Sequence, residues 1–307
     1  MLISIITPVY KCANSIDEIY SRLVKTLQHI SRDYEIIFVN DGSPDNAWEK
    51  ISLLAKIDNK VKGINLSRNF GQHNAIIAGL EHTKGEWVVV MDCDMQDMPE
   101  EISNLYKKCM EGFDIVLARR KNRKDNFLIK TLSKAFYKIL SYLTETHQEH
   151  TIANFGIYKK PVINSLKSMG DYNKYFPTMI RWVGFKTAEI DVIHSKRESG
   201  KSSYNLKNRI NLSIDVILSF SNKPLKLMIK LGFFFSLASL ILAIYFVCRY
   251  FIVGIAVSGW TSLIISIWFL SGLIIFMLGI LGLYIGKTFD KVKNRPNYII
   301  SDAINID

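Results

Sequence analysis

Residues 1 to about 120 alternate short apolar stretches with amphipathic ones. The stretches LISIITPVY, YEIIFVNDGS, VKGINLS and EWVVVMDCD read as strands that each end in polar residues. Between them, segments such as SIDEIYSRLVKTLQHI and GQHNAIIAGLEHTKG place apolar residues at helical spacing. Strands that alternate with helices predict an α/β fold, a mostly parallel sheet with helices on both faces. Ligands of such sheets bind beyond the carboxyl ends of the strands. Four polar clusters fall at these ends, so we expect them at one edge of the sheet: Thr7–Tyr10, Asn40–Ser43, Ser67–Asn69 and Asp92–Gln96.

The C-terminal third follows another pattern. No residue is charged from Leu231 to Cys248 or from Tyr250 to Gly286. Both runs are apolar on every face, and each has room for the helix of about 20 residues that crosses a bilayer. We therefore expect two transmembrane helices, at about 229–252 and 261–286.

Basic residues gather beside these two predicted spans. Three lysines precede the first span, and Lys287, Lys291, Lys293 and Arg295 follow the second. The connection between the spans has almost no charge beyond Arg249. The positive-inside rule then places the N-terminal domain and both termini in the cytoplasm, in a multi-pass protein of the inner membrane. MLISIITPVY reads as a strand rather than a cleavable signal peptide.

These patterns divide the chain into four parts. Residues 1–204 form the α/β domain, and residues 225–287 hold the two spans. Residues 205–224 connect the α/β domain to the first span. They form either an amphipathic helix in the headgroup layer or an ordinary surface helix, and both interpretations stay open. Residues 288–307 are a cytoplasmic tail, and we expect its short polar part after Arg295 to be mobile.

The composition of the chain limits the classes of molecule that we expect it to bind. The chain is 49% hydrophobic, with a mean hydropathy of +0.12 and a net charge of +11. No zinc-finger or RNP-type pattern accompanies the basic charge, so we expect no nucleic acid partner; anionic headgroups and phosphorylated ligands explain the charge better. The cysteines at positions 12, 93, 109 and 248 show no paired spacing and are expected to be reduced thiols.

Negative charge is concentrated in the stretch VVVMDCDMQDMPE. Asp92 and Asp94 follow a predicted buried strand, and Gln96 adds an amide oxygen. Two hard oxygen ligands close together suit Mg²⁺ or Mn²⁺, which also binds water and the phosphate oxygens of a ligand. The stretch thus predicts a site for a metal ion and a diphosphate, in preference to a solvated loop.

Five segments in this order resemble the motifs of family 2 glycosyltransferases with the GT-A fold: TPVYKCANSI, VNDGSPDNAW, LSRNFGQHNAIIAGL, MDCDMQDMPE and RESGKSSYNL. More closely, the chain resembles the membrane-anchored polyprenyl-phosphate hexose synthases, which include bactoprenol glucosyltransferases and dolichol-phosphate mannose synthases. The resemblance spans almost the whole chain. It implies a GT-A (Rossmann-like) sheet and a divalent metal ion.

The resemblance also implies roles for individual residues. The nucleotide-sugar would bind at Pro8, Tyr10, Asp41, Arg68, Asn69, Asp92, Lys201 and Ser202. The metal would bind at Asp92, Asp94 and Gln96. The acceptor phosphate would meet Arg119, Lys121, Arg197 and Tyr204. Candidate catalytic residues are Asp94, Arg197, Asp97 and Asn154.

Several of these assignments have a structural alternative. For Asp41 the alternative is a simple Asp-Gly turn, and for Asn69 it is a helix cap. RESGKSSY is either a loop that folds over phosphates or a solvated basic loop. Arg119 and Lys121 could face lipid instead of the acceptor phosphate. For Asp97 we favour a cap of the following helix over a catalytic role.

One position departs from the resemblance. Many relatives have an aspartate, a candidate catalytic base, where this chain has Asn154, and asparagine cannot take up a proton at neutral pH. A lipid phosphate has a second pKa of about 6, so its ionised form can attack without a base; we favour this interpretation. The alternatives are lost activity or a hydroxyl acceptor that uses another base, such as Asp97.

Together these observations predict an inverting transfer of a hexose from a nucleotide-sugar, UDP-glucose in our interpretation, to undecaprenyl phosphate for surface-glycan (O-antigen type, lipopolysaccharide) modification. Two alternatives stay open: direct transfer to a lipid-linked oligosaccharide, and a non-catalytic sugar-nucleotide-binding scaffold. Small residues in GWTSLIISIWFLSG allow the spans to pack within one chain or in a homo-oligomer.

Overall fold

The computed structural model describes residues 2–120, 152–169, 175–192, 217–218, 221–253 and 259–306. They fall into two units. The first holds the described residues up to Val192 together with those from Pro296 onward, and the second holds those from 217 to Arg295. The predicted linker helix at 205–224 lies mostly outside the described residues.

The first unit alternates strands and helices as predicted. Its strands are β1 (Ile3–Val9), β2 (Tyr34–Asn40), β3 (Val61–Leu66), β4 (Trp87–Val90), β5 (Ile115–Arg120), β6 (Ile152–Lys159), β7 (Thr187–Val192) and β8 (Ile300–Ile304). Its helices are α1 (Ile16–Gln28), α2 (Ala47–Ile57), α3 (Gln72–Glu81), α4 (Ile102–Cys109), α5 (Lys160–Ser168) and α6 (Phe176–Trp182), with 3-10 turns at Ala13–Ser15 and Pro99–Glu101.

All of these strands join one 8-stranded sheet in the order β7-β5-β6-β4-β1-β2-β3-β8. Strands β4, β1, β2 and β3 are parallel neighbours, and β5 is parallel to β7. Strand β6 is antiparallel to both β4 and β5, and β8 is antiparallel to β3. The mostly parallel α/β sheet expected from the sequence is therefore confirmed.

Helices cover both faces of the central strands, because every residue of β1, β2 and β4 is buried. On one face, Ile3 and Ile5 join a core with residues of α1, α2 and α4. On the other face α3 packs closely, since a Cβ at Gly79 would lie 2.6 Å from Ile6 Cγ2. The helices on the two faces therefore pack against the strands whose ends carry the predicted site, and hold these strands in place.

A buried ionic network closes the amino ends of the strands. Glu35 and Lys62 are 4% and 8% exposed, and their carboxylate and ammonium groups lie 2.6 Å apart. The Ser4 hydroxyl and the Lys84 N–H also donate to Glu35, and the Gly85 N–H donates to Ser4 Oγ at 2.9 Å. Although burial opposes ionisation of Glu35, Lys62 and these donors hold its pKa below the ordinary value. The network ties the turn before β4 to β1 and β2.

The second unit contains two long helices, α7 (Lys223–Val253) and α8 (Trp260–Val292). By length and composition alone, Lys223–Leu242 and Ser266–Val292 are long and apolar enough to cross a membrane. Their large apolar side chains are exposed: Phe233 to 70% and Trp268 to 78%. Such exposure fits helices that meet lipid better than helices of a soluble core.

The C-terminal segment differs from the expectation. We expected the tail after Arg295 to be mobile, but Ile300–Ile304 form β8 on the edge of the sheet. The polar composition misled the prediction, because an edge strand that faces solvent needs few apolar residues.

Candidate active site

Four polar loops meet at the carboxyl edge of the sheet. They follow β1, β2, β3 and β4, which are adjacent parallel strands in the order β4-β1-β2-β3. The prediction that the four polar clusters of the sequence share one edge is therefore confirmed. This edge is where α/β proteins bind ligands.

The segment after β4 alternates strictly in burial. Asp92, Asp94 and Gln96 are partly exposed, whereas Cys93, Met95 and Asp97 are buried. The three predicted metal ligands thus share the accessible side of the segment. Met95 has a φ of 61°, a left-handed conformation that is unusual for so large a side chain and turns the chain sharply between Asp94 and Gln96.

Hydrogen bonds orient both exposed carboxylates. Gln72, the first residue of α3, donates its side-chain amide to Asp92 Oδ1 at 2.6 Å. The Gln96 N–H donates to Asp94 Oδ1 at 3.2 Å. Gln72 was not predicted as part of the site; its place on the first turn of the helix after SRNFG is the only sequence signal for it.

The residues present fit a divalent ion that shares its coordination with a ligand. Within the described ranges no three His, Cys, Asp or Glu side chains converge into a metal-binding group. Mg²⁺ and similar ions are commonly bound by one or two carboxylates, with water and phosphate oxygens completing the shell. Asp92, Asp94 and the Gln96 amide meet that requirement, and no all-protein cage is needed.

Asp97 does not have the predicted capping role. The 3-10 turn Pro99–Glu101 begins after Met98, and neither that turn nor α4 has a side-chain cap. Asp97 is 2% exposed. The prediction of a helix cap is wrong, and the burial of Asp97 also argues against a base that meets an acceptor from solvent.

Asp41 holds a neighbouring loop in place. Its two carboxylate oxygens accept the N–H groups of Phe70 at 2.7 Å and Gly71 at 3.0 Å. Asp41 is 2% exposed, and burial raises its pKa although the two N–H groups and Arg68 favour the ionised form. The following Gly42 has a φ of 59° and a Cβ there would lie 2.5 Å from the Arg68 carbonyl carbon, so only glycine fits. The geometry gives Asp41 a positioning role; its predicted contact with a base or ribose stays a prediction.

The other residues predicted to contact the nucleotide-sugar differ in how far they are exposed to solvent. Tyr10, Arg68 and Asn69 are exposed at the edge, and the Arg68 guanidinium lies 4.2 Å from the centre of the Phe70 ring. Pro8 is buried within β1 opposite Val39. Pro8 is therefore part of the sheet beneath the edge, while the exposed three remain available to a ligand.

The loop after β1 is tied to the loop after β2 by residues that sequence reasoning missed. The Lys11 N–H donates to Ser43 Oγ at 2.7 Å, and the Ala13 N–H donates to Asp45 Oδ2 at 3.0 Å. Ser43 and Asp45 are also hydrogen-bonded to each other. Both belong to the polar run DGSPD, which signalled a turn but not its partner.

The expectation of reduced thiols is wrong for two of the four cysteines. Cys12, after β1, and Cys93, between the two aspartates, form a disulfide with their Cα atoms 6.4 Å apart. Cys109 and Cys248 are free thiols. The paired cysteines are 81 residues apart in sequence, so no local spacing could reveal the bond. It joins the loop that carries Tyr10 to the segment that carries Asp92 and Asp94.

Asn154 reaches the same edge from a distant part of the chain. Strand β6 is antiparallel to β4 with Gly156 opposite Val90. Continuing this register brings partly exposed Asn154 level with Asp92. The predicted proximity of Asn154 to the site is consistent with this placement, and its role in the reaction stays a prediction.

Arg119 is engaged by acidic residues of the neighbouring strand β7. Its Nε donates to Asp191 Oδ1 at 2.6 Å, and its Nη1 lies 4.0 Å from Glu189 Oε2. An acceptor phosphate would have to compete with these carboxylates. Further predicted site residues lie outside the described ranges: Lys121, Arg197, Lys201, Ser202 and Tyr204.

His73 lies beside Gln72 on the first turn of α3. Its ring meets the Tyr175 ring edge-on at 4.7 Å, and Nδ1 is buried without a hydrogen-bond partner in the described part of the chain. Burial lowers the pKa of His73 from 6.5 to about 4. The imidazole is therefore neutral at neutral pH and contributes no positive charge to the site.

Comparison with known proteins agrees with this architecture. The family model described as glycosyl transferase family 2 matches residues 4–166. Among curated proteins, an uncharacterized glycosyltransferase of Bacillus subtilis, YkcC, is 35% identical over 99% of this chain and 94% of its own length. Among solved structures, glucosyl-3-phosphoglycerate synthase from Mycobacterium tuberculosis with Mn²⁺, UDP-glucose and phosphoglyceric acid is 14% identical, with a TM-score of 0.53 over 71% of this chain and 78% of that one. This neighbour supports the GT-A fold.

Two further relatives have names that state an activity. A prophage bactoprenol glucosyl transferase homolog of Escherichia coli is 33% identical over 98% of both chains. An undecaprenyl-phosphate 4-deoxy-4-formamido-L-arabinose transferase of Proteus mirabilis is 32% identical over 99% of this chain and 94% of its own. Full-length similarity of this degree, the family match and the site geometry lead to one conclusion: the chain belongs to the family 2 glycosyltransferases.

Proposed function

We propose that this protein transfers glucose from UDP-glucose to undecaprenyl phosphate at the cytoplasmic face of the inner membrane. The main support for this acceptor comes from two relatives, one named for bactoprenol and one for undecaprenyl phosphate. They match 98% and 99% of this chain, including both apolar helices. The names of these two relatives give different sugars but the same class of lipid. They therefore support the proposed lipid acceptor more strongly than the proposed sugar. Glucose is the sugar in the name of the relative matched over 98% of both chains.

The carboxyl edge has the charge distribution that this reaction needs. A divalent ion between Asp92, Asp94 and a diphosphate would offset the negative charge that develops on the leaving nucleoside diphosphate. Asp92 is held in place by Gln72 and Asp94 by the Gln96 N–H, so both carboxylates are oriented before the ligand arrives. Exposed Arg68 adds a positive charge on the adjacent loop.

The step itself requires no proton acceptor from the protein. An oxygen of the ionised lipid phosphate forms the new bond to the anomeric carbon as the bond to the diphosphate breaks, which inverts the configuration. The second pKa of a phosphate monoester is about 6, so this oxygen is already deprotonated at neutral pH. An asparagine at position 154, which can donate and accept hydrogen bonds but cannot act as a base, is compatible with such an acceptor.

The return of the chain to its own sheet supports the membrane arrangement. Strand β8 follows both apolar helices in sequence, yet it pairs with β3, which precedes them. The chain would thus cross a membrane an even number of times between β7 and β8. Basic residues flank both helices, which favours the cytoplasm for this shared side.

Orientation has a direct test, which also bears on the disulfide because disulfides are uncommon in the cytoplasm. Asp302 is exposed on β8, so an Asp302→Cys variant can be labelled with a membrane-impermeant maleimide. The variant is made in a Cys248→Ser background, which removes the exposed native thiol. We expect labelling in inside-out vesicles only. Labelling in right-side-out vesicles would overturn the cytoplasmic placement.

The reaction is tested with detergent-purified protein, undecaprenyl phosphate and radiolabelled UDP-glucose, UDP-galactose, UDP-N-acetylglucosamine and GDP-mannose. We expect one acid-labile lipid product, from UDP-glucose, that disappears with EDTA and returns with Mn²⁺ or Mg²⁺. A product from another donor would show that the proposed sugar is wrong and that the proposed acceptor is right. No lipid product from any donor, while the protein still binds nucleotide, would overturn the lipid phosphate acceptor and favour a lipid-linked oligosaccharide acceptor or a binding scaffold.

A further inference from the structure

The C-terminal strand β8 contacts the loop that carries two of the predicted nucleotide-sugar contacts. We call Ser67–Gly71, which includes Arg68 and Asn69, the donor loop. The Ser67 N–H donates to the Ile299 carbonyl at 2.9 Å. The first residue of the donor loop is therefore held by the segment that leads into β8.

The pairing of β8 changes at the point where the donor loop begins. Asn65 lies opposite Asp302, but Leu66 lies opposite Ile300, so the register shifts between them. Ser301 falls at this shift and donates its hydroxyl to the Asn65 carbonyl at 3.1 Å. The extra residue, Ser301, lies on β8, so the bulge bends β8 at this point. The bend lies beside Leu66, directly before the start of the donor loop.

The donor loop is thus fixed at both ends by remote parts of the chain. At its far end Asp41 accepts the Phe70 and Gly71 N–H groups at 2.7 and 3.0 Å. At its near end the Ile299 carbonyl accepts the Ser67 N–H. Arg68 and Asn69 lie between these two attachments, and their side chains are exposed.

Two side chains attach the C-terminal segment itself. The Asn305 amide donates to the Ala55 carbonyl at 2.6 Å and to the Val61 carbonyl at 2.9 Å. Asn305 has a φ of 59°, a conformation that asparagine and glycine tolerate. At the other end of the segment the Tyr298 hydroxyl is hydrogen-bonded to the Glu81 carboxylate. Strand β8 is therefore anchored on both sides of the contact with the donor loop.

We infer that β8 and its anchor Asn305 are positioning elements of the donor site, which hold the donor loop ready for the diphosphate part of a nucleotide-sugar. The inference rests on the proposed function, because it assigns the loop to that ligand. A loop ordered before binding spares the conformational entropy that would otherwise oppose binding. Loosening β8 should therefore weaken nucleotide binding and leave the chemical step intact.

The test uses full-length, detergent-purified protein and two measurements. Hydrogen–deuterium exchange of residues 66–71 without ligand reports the order of the donor loop. Titration with UDP and Mn²⁺ reports nucleotide binding, and transfer assays separate KM for the donor from kcat. The variants are Asn305→Gly, which keeps the backbone conformation and removes both hydrogen bonds, and Ser301→Ala. The control is Asp302→Asn, an exposed position of the same strand.

We expect Asn305→Gly to speed exchange of the donor loop and to raise the Kd for UDP and the donor KM about fivefold, a change typical of losing one or two hydrogen bonds. Ser301→Ala should change both values in the same direction by about twofold. Neither variant should change kcat, and the control should match the wild type.

Unchanged exchange of the donor loop in Asn305→Gly, with faster exchange of β8 itself, would overturn the inference. So would faster loop exchange with an unchanged Kd for UDP, because β8 would then serve stability alone. A wild-type protein that binds no nucleoside diphosphate, while the loop still loosens in Asn305→Gly, would contradict the proposed function and leave the attachment of the loop established.

Discussion

The two ends of the parallel strands use carboxylates in opposite ways. At the amino end Glu35 is buried and fully engaged by an ammonium group, a hydroxyl and a backbone N–H within the protein. At the carboxyl end Asp92 and Asp94 are partly exposed, and amide groups of Gln72 and Gln96 orient them. The first arrangement uses up the charge internally, whereas the second orients the charge and leaves it accessible to a cation from outside. The surroundings of a carboxylate, and not its presence at a strand end, separate a structural role from a ligand-binding one.

Removing the internal charge balance at the amino end should cost the most stability. Glu35→Gln leaves the Lys62 ammonium buried without its counter-ion, and breaking a buried pair typically lowers the free energy of unfolding by about 3–5 kcal/mol. Urea unfolding in detergent measures the loss. The exposed pair Asp17–Lys50, at 2.6 Å, gives the control: Asp17→Asn should cost at most about 1 kcal/mol. Equal losses in the two variants would refute the contrast between the ends.

The same kind of change at the carboxyl end should affect activity instead. Asp94→Asn keeps the shape of the side chain and removes a charge that would bind the metal ion. We expect transfer activity to fall about a thousandfold, or about 4 kcal/mol in the activation free energy, with little change in stability. Glu49→Gln on the exposed side of α2 is the matched control. A variant that retains near wild-type transfer would remove Asp94 from the metal site.

The disulfide gives a further test of the contrast between the two ends of the strands, because it links two segments at the carboxyl end only. Cys12→Ser should lower the free energy of unfolding by about 2–4 kcal/mol under non-reducing conditions. Reductant should lower the wild type to the same value and leave the variant unchanged. Cys248→Ser, an exposed free thiol, is the control. If reductant has no effect on the wild type, the two cysteines are not bonded in the purified protein.

The smallest expected effect is a pH dependence from His73. Its pKa is lowered from 6.5 to about 4 by burial, so between these values the unfolded chain binds a proton that the folded chain excludes. Stability should therefore fall as the pH is lowered from about 6.5 towards 4. The full difference between the two pKa values corresponds to at most about 3 kcal/mol, and because His73 is partly exposed we expect about 1–2 kcal/mol. Denaturation at several pH values should show a shallower slope for His73→Phe than for the wild type. The exposed His29 provides the control, His29→Gln; a slope unchanged in His73→Phe would show that other groups cause it.

Local patterns predicted much of this protein. The strand before Asp92, the helix after Gly71 and the two apolar helices each depend on residues close together in sequence, where hydrophobic periodicity and charge act directly.

Partners across distant elements were not predictable in the same way. Nothing near Asp41 in sequence shows that its oxygens accept N–H groups from residues 70 and 71. Nothing near Arg119 shows that Asp191 engages its guanidinium. The capping role given to Asp97 failed because burial, which depends on the whole sheet, turned the side chain inward.

By itself, the sequence determined the α/β order of the elements, the placement of four polar clusters at strand ends, and two helices long and apolar enough for a membrane. The periodicity that encodes these features is a property of neighbouring residues. Only the tertiary structure decided that Cys12 meets Cys93, that Asn154 comes level with Asp92, and that the C-terminal tail completes the sheet beside the donor loop. Those pairings arise when strands far apart in the chain adopt one register, and no local pattern carries that information.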